Sequence, residues 1–290
     1  MSALFRSSHD AHYVAIDIGG TNTRVALFPS LDAPEHTLLA QFPTFPSYDE
    51  QQRRIAELLP RDTSYAGIGV SIGGRIARDG RGVVVAPNMP DYIGKPFAHD
   101  IERVFDCPVR LAHDTVCGLL AEKRFGCLRN DERCAYLTVS TGTGAAIHLE
   151  KAGSGLTSSI EIGHQLLDGN EYVCLCGQVG CLETYTGGRQ VELRLGQPLS
   201  AVTDAAIWRT FYRKLALGLV NLAQLTRVDV IAVSGAIALH NAHVIPSVQA
   251  DVNELLRGAT LELRLARLGE SAPLVGAARL LATPEEKLLH

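Results

Sequence analysis

From Glu161 to Glu183 the chain reads EIGHQLLDGNEYVCLCGQVGCLE, and its histidine and cysteines follow the order His164-x9-Cys174-x-Cys176-x4-Cys181. One imidazole and three thiolates are a donor set suited to a tetrahedral ion that prefers nitrogen and sulfur, and zinc fits best. Four protein ligands leave no coordination position for water, so such an ion is structural and the chemistry lies with the groups the loop presents. Gly177 and Gly180 stand where a chain folding tightly around one ion needs positive φ. The competing reading is a set of buried, reduced thiols.

Two further stretches suggest phosphate. YVAIDIGGTNTRVALF, from Tyr13, is a strand, a glycine turn and a second strand, with Asp17 ending the first strand and Gly19, Gly20, Thr21, Asn22, Thr23 and Arg24 following. Backbone N–H groups freed by the glycines, with the Thr hydroxyls, can cradle phosphate oxygens, whereas a plain hairpin needs only the glycines. CAYLTVSTGTGAAIHL repeats the arrangement, with Thr141, Gly142, Thr143 and Gly144 in its turn. Two such units in one chain point to two related lobes whose turns face a common nucleotide.

Other elements position residues of less certain role. Tyr65–Ile76 is a buried strand running into Gly73 and Gly74, glycines that permit close approach of a ligand or simply a turn. Val83–Pro90 ends an apolar run at Asn88, and Val109–Ala112 is a strand ending in His113-Asp114. Asp114 precedes a helix over Thr115–Phe125, so by position alone it reads as an N-cap. Tyr48–Leu59 and Phe97–Phe105 are amphipathic helices, and Asp204–Leu225 is a long one with a core stripe of Trp208, Phe211, Leu215, Leu219 and Leu222. Val228–Ala236 is a strand entering a turn at Gly235, Ala272–Ala282 a small-residue helix, and Glu285–His290 a frayed tail.

Composition narrows the class. At 290 residues with 46% apolar content, the chain suits two globular domains of ordinary size or one large one. A net charge of −4 with scattered basic residues argues against a nucleic-acid partner. MSALFRSSHDAHY lacks the apolar core of a signal peptide and Leu215–Leu225 is too short to span a bilayer, so no membrane is expected and a cytoplasmic protein is. Of the seven cysteines, Cys107, Cys117, Cys127 and Cys134 are then reduced thiols packed as small hydrophobes.

The run Glu161-Ile-Gly-His164, then Cys174-Leu-Cys176-Gly-Gln-Val-Gly180-Cys181-Leu-Glu183, resembles the signature of the ROK family of sugar kinases and related repressors. The resemblance extends over Val14–Ala282 and includes DIGGTNTR, STGTG and His113-Asp114. It implies an α/β chain of the actin-like ATPase (ribonuclease H-like) fold, two lobes with a cleft between them. Residues 1–113 would form the N-terminal lobe, with 272–290 packing back on it, and 114–271 the C-terminal lobe carrying the zinc loop. It implies ATP-dependent phosphorylation of a hexose with Mg2+ and structural Zn2+, in a homodimer. Asp114 matches the family aspartate that removes the hydroxyl proton; His113 stands where the family carries Asn. Asn88, Gly74, His113, Glu161, His164 and Glu183 would contact the sugar. Asp17, Gly19, Gly20, Thr21, Thr23, Arg24, Thr141, Gly142, Thr143, Gly144 and Gly235 would contact the nucleotide, with Ser234-Gly235-Ala236 replacing a family Gly-Gly pair. A catalytically silent sugar- or nucleotide-binding relative is the alternative. A repressor is disfavoured, because only MSALFRSSHDAH precedes the first phosphate strand.

Overall fold

The computed structural model of the chain describes residues 12–60 and 63–290. The readings made on the segment before His12, that it holds neither a leader nor a DNA-binding motif, lie outside the described residues. Two compact units emerge, one of residues up to Ala121 with Ser271–His290, the other Glu122–Glu270. The first begins with β1 (His12–Ile18), β2 (Asn22–Phe28), β3 (Thr37–Pro43), α1 (Tyr48–Leu58), β4 (Tyr65–Ile72), β5 (Arg75–Ile76), β6 (Val83–Val85), α2 (Phe97–Phe105), β7 (Val109–His113) and α3 (Asp114–Phe125), a helix that continues into the second. There follow β8 (Arg133–Val139), β9 (Thr143–Lys151), β10 (Ser154–Ile160), α4 (Glu183–Thr186), α5 (Gly188–Leu195), α6 (Ala205–Thr226), β11 (Val230–Ser234), α7 (Ala236–His240), α8 (Val244–Leu255) and β12 (Glu262–Leu265). The last helix, α9 (Ala272–Leu280), belongs to the first unit.

In the first unit the strand order is β3-β2-β1-β4-β7, with β1, β4 and β7 parallel and β2 and β3 antiparallel additions. The side-chain period of two sorts each parallel strand into a large and a small face. Val14, Ile16 and Ile18 of β1, Ile68, Val70 and Ile72 of β4, and Val109 and Leu111 of β7 join α1 and α2 in one core. Between them lie Ala15, Gly67, Gly69 and Ala112, and α9 packs on these strands, with Ala277 and Ala278 against Gly69. The fit leaves no room: a Cβ on Gly69 would lie 1.8 Å from the Ala277 carbonyl oxygen, and one on Gly276 would lie 1.7 Å from that of Cys117 in α3.

The sheet strands of the second unit run β12-β11-β8-β9-β10; β8, β11 and β12 are parallel, and β8, β9 and β10 form an antiparallel meander. The long helix α6 is capped by Asp204, whose carboxylate accepts the Ala206 N–H at 2.8 Å. Its stripe of Trp208, Phe211, Leu215, Leu219 and Leu222 is buried as the spacing predicts. At the sheet margin the Gln249 amide donates to the Leu261 carbonyl at 2.9 Å and accepts the Leu263 N–H at 2.8 Å.

One expectation is corrected. The tail does not fray: Leu288 is buried, and the His290 ring packs close to Gly80. Leu288 has apolar surface to bury, which the charged residues before it obscure in the sequence. Among the described residues, no helix is long and apolar enough to cross a membrane.

The crowding around α9 gives a stability test. Gly276→Ala should lower stability by about 1–3 kcal/mol or more through overpacking. Gly73→Ala, where the nearest atom to the added Cβ is 3.9 Å away, should change it little. Thermal or urea unfolding of the two variants measures the difference.

Candidate functional site

The parallel register of β1, β4 and β7 aligns Asp17 with Ser71, Ser71 with Ala112, and Ile72 with His113. The polar groups therefore gather at the carboxyl ends of the parallel strands, where open α/β sheets bind ligands. Asp17 is buried; its Oδ1 accepts from Ser71 Oγ at 2.7 Å and its Oδ2 from Arg24 Nη2 at 2.6 Å. Burial raises its pKa, opposed by the Arg24 guanidinium and the hydrogen bonds from Arg24 and Ser71. Arg24 thus positions Asp17. Thr23 faces the interior, with Thr44 Oγ1 at 3.0 Å and the Gln51 amide donating to it at 2.9 Å. Gly20 and Thr21 are exposed at the turn, and a Cβ on Gly20 would come 3.4 Å from the Cβ of Asn88. Two stretches far apart in sequence, the glycine turn and the Asn88 loop, are therefore neighbours. Gly74, at φ 105°, is required by the β5–β6 hairpin, because its missing Cβ would meet the Val85 carbonyl at 2.4 Å.

Asp114 begins α3, with about a third of its side chain exposed (32%). Its Oδ1 is out of solvent and lies 2.9 Å from His113 Nδ1, which pairs with it when the imidazole is protonated. Burial alone would push this carboxyl up; the His113 charge and the Thr115 backbone N–H outweigh it and hold the pKa below the ordinary value. Asp114 is then ionised at neutral pH and able to accept a proton. His113 Nδ1 also lies 3.2 Å from the Thr115 backbone nitrogen and 2.7 Å from Thr115 Oγ1, so this histidine shares in capping α3.

In the second unit Thr141 is exposed at the β8–β9 turn, and Gly144 pairs with Thr138 as β9 begins. Thr143 is buried: its N–H donates to Glu183 Oε2 at 2.7 Å, and its Oγ1 lies 2.8 Å from that of Thr186. The same carboxylate oxygen would lie 2.7 Å from a Cβ on Gly142 and 3.2 Å from one on Gly163. Gly235, at φ 88°, lets the chain pass Val139, whose carbonyl would be 2.5 Å from an added Cβ. Glu161 is exposed before the short turn Ile162–His164.

His164, Cys174, Cys176 and Cys181 converge, with their ligand atoms all within 4.8 Å of one another. Cys174 Sγ is 3.8 Å from His164 Nδ1, and Cys176 Sγ is 3.7 Å from Cys181 Sγ. A tetrahedron with zinc–sulfur bonds of about 2.3 Å has edges of about 3.8 Å, so the donors fit the ion. Gly177 and Gly180 adopt φ 90° and 97°, as the tight loop requires. Burial pushes the Cys174 and Cys181 thiols up, and a cation among them would reverse that. With Nδ1 turned to the thiols, His164 keeps Nε2 for a partner outside the cluster, and metal binding would fix it as a donor.

Sequence reasoning passed over several contributors. Ser71 is a plain strand residue until the register sets it beside Asp17. Gln190 donates to Cys174 Sγ at 3.2 Å, and Asn170 donates to the Cys181 carbonyl at 2.9 Å and Thr184 Oγ1 at 3.0 Å. Gly187-Gly188 is the one signal that could have been read. A Cβ on Gly188 would come within 2.8 Å of the Ser140 carbonyl, so the pair marks a close approach to the turn.

Residues 13–283 match the ROK family. The kanosamine kinase of Amycolatopsis mediterranei (strain S699) is 28% identical over 93% of this chain and 95% of its own length. The xylose repressor of Bacillus subtilis (strain 168) is 26% identical over 72% of this chain and 59% of its own. A solved ROK family glucokinase from Streptomyces griseus, in complex with glucose and AMPPNP, aligns with a TM-score of 0.75 at 22% identity, over 93% of this chain and 99% of that one. The shared fold is the mixed α/β actin-like ATPase fold.

The donor cluster should carry one zinc per chain after purification without added metal, measured by elemental analysis. Cys176→Ser should weaken retention, and extraction with a chelator should lower the melting temperature. Metal-free protein that melts with the untreated protein would remove the ion from the structure.

Proposed function

This chain belongs to the ROK family, and we propose that it transfers the γ-phosphoryl group of ATP to a hexose, glucose or a related sugar, at the 6-hydroxyl. The observation that carries this reading is Asp114: a carboxylate held ionised and about a third exposed, with an oxygen oriented by His113 Nδ1 at 2.9 Å, at the carboxyl end of β7 in the sheet that bears the Asp17 turn. Such an oxygen is suited to orient a sugar hydroxyl and accept its proton as phosphorus is attacked. ATP would supply the phosphoryl group, and Mg2+ would neutralise charge on its phosphate oxygens. The turns at Gly19-Gly20-Thr21 and Thr141-Gly142 offer backbone suited to phosphate binding, and a Cβ on Gly142 would come 2.7 Å from Glu183 Oε2. Glu161, Glu183, His164 Nε2, Asn88 and His113 offer hydrogen bonds suited to ring hydroxyls. A buried acceptor left unpaired by a missing hydroxyl costs about 1–3 kcal/mol, which discriminates among hexoses. The reading places the enzyme in the cytoplasm, as a homodimer.

A panel of hexoses and N-acetylhexosamines with coupled ADP detection tests the activity. ADP formation with one sugar, giving its 6-phosphate, is the expected result. No turnover on any sugar, with sugar binding retained, would leave a binding protein. Asp114→Asn should lower kcat by about 10²–10⁴-fold, the range for general-base loss. Its melting temperature should change little, because His113 also caps α3. Near-normal turnover would remove Asp114 from the catalytic role.

His113→Asn provides the specificity test. Asparagine is a good cap, so stability should hold. Its compact amide distributes donor and acceptor differently from imidazole, so the ranking of kcat/KM among glucose, mannose and N-acetylglucosamine should shift about tenfold. An unchanged ranking would confine His113 to the helix cap.

A further inference from the structure

The Ser140–Thr143 turn is held from outside its own hairpin by one short segment. Glu183 Oε2 accepts the Thr143 N–H at 2.7 Å, and Thr186 Oγ1 lies 2.8 Å from Thr143 Oγ1. The Gly188 N–H donates to the Ser140 carbonyl at 2.8 Å and the Arg189 N–H to that of Thr141 at 3.0 Å. Four contacts in seven residues make Glu183–Arg189 a brace that follows the turn's backbone residue by residue. Gly142 and Gly188 are glycines for this reason, since a Cβ on either would collide with the brace or the turn.

The brace is continuous with the metal loop. Cys181 stands two residues before Glu183, and the Thr184 hydroxyl donates to the Cys181 carbonyl at 2.8 Å. Asn170, inside the loop, donates to both the Cys181 carbonyl and Thr184 Oγ1. At the other end, buried Gln190 donates to Cys174 Sγ at 3.2 Å. The segment that shapes the turn is thus fixed at both ends by residues of the candidate metal site.

We infer that Glu183 and Thr186 are positioning residues for the nucleotide, and that the metal loop sets nucleotide affinity through them. The inference rests on the reading of Thr141–Gly144 as a phosphate turn. It gives Glu183 a task separate from any sugar contact: one carboxylate oxygen holds the Thr143 backbone in place. Thr186 is fully buried, so its hydroxyl serves the turn and not a ligand. Loss of the metal would loosen Cys181 and Cys174, then the brace, then the turn.

The test uses the full chain, AMPPNP as probe without sugar, and hydrogen exchange of the Thr143 amide as a readout that needs no nucleotide. Thr186→Val should weaken AMPPNP binding about five- to tenfold, the effect of one neutral hydrogen bond. It should raise KM for ATP while leaving KM for the sugar selected by the panel unchanged, with zinc content retained. Thr186→Ser should restore wild-type values. Glu183→Ala should speed Thr143 exchange, Glu183→Gln less so because its amide oxygen still accepts, and zinc extraction should speed exchange in the wild type. Unchanged Thr143 exchange in Glu183→Ala, in Thr186→Val and after zinc extraction would overturn the inference. If the wild type binds no AMPPNP, the nucleotide reading fails and the claim that the metal loop sets nucleotide affinity falls with it; exchange then judges the brace alone.

Discussion

The register of three parallel strands is the constraint on which the first unit depends. Because β1, β4 and β7 pair without offset at their carboxyl ends, Asp17, Ser71 and the His113-Asp114 pair arrive at one edge. A slip of one residue would turn Asp17 and Ser71 to the opposite face and put Ile16 and Val70 in their place. The register is secured by the contrast between faces: one packs large aliphatic side chains on α1 and α2, the other is lined by small residues such as Ala15, Gly67, Gly69 and Ala112 where α9 packs. Packing and polar placement are therefore one problem with one solution.

The second unit reaches its arrangement differently. Its turn is shaped less by its hairpin than by a distant segment carrying a carboxylate, a threonine and two glycines. The metal loop contributes little regular structure, and burial alone would disfavour its thiolates. Such a loop would gain order from an ion held by its four donors.

Much of this was legible in the chain. Helix stripes such as Trp208 to Leu222 read correctly because burial follows a 3.6-residue period over many turns. The convergence of His164 with Cys174, Cys176 and Cys181 was legible because the four lie close in sequence and few roles need three cysteines in eight residues. What stayed hidden depends on contacts across the chain. Nothing in sequence sets Ser71 beside Asp17, Asn88 beside Gly20, or Glu183 beneath Thr143, and nothing turns Thr23 inward toward Gln51. The tail was misread because local charge outweighed Leu288, whose partner surface lies elsewhere in the chain.

At the margin of the second sheet, the Gln249 side chain occupies the hydrogen-bonding positions of Leu261 and Leu263 that another strand would take. An amide has the donor and acceptor of a peptide group but no chain to continue, so it satisfies the margin without extending it. A nascent or crowded population of this protein therefore meets a sheet already terminated at β12, where a bare strand would offer a template for aggregation.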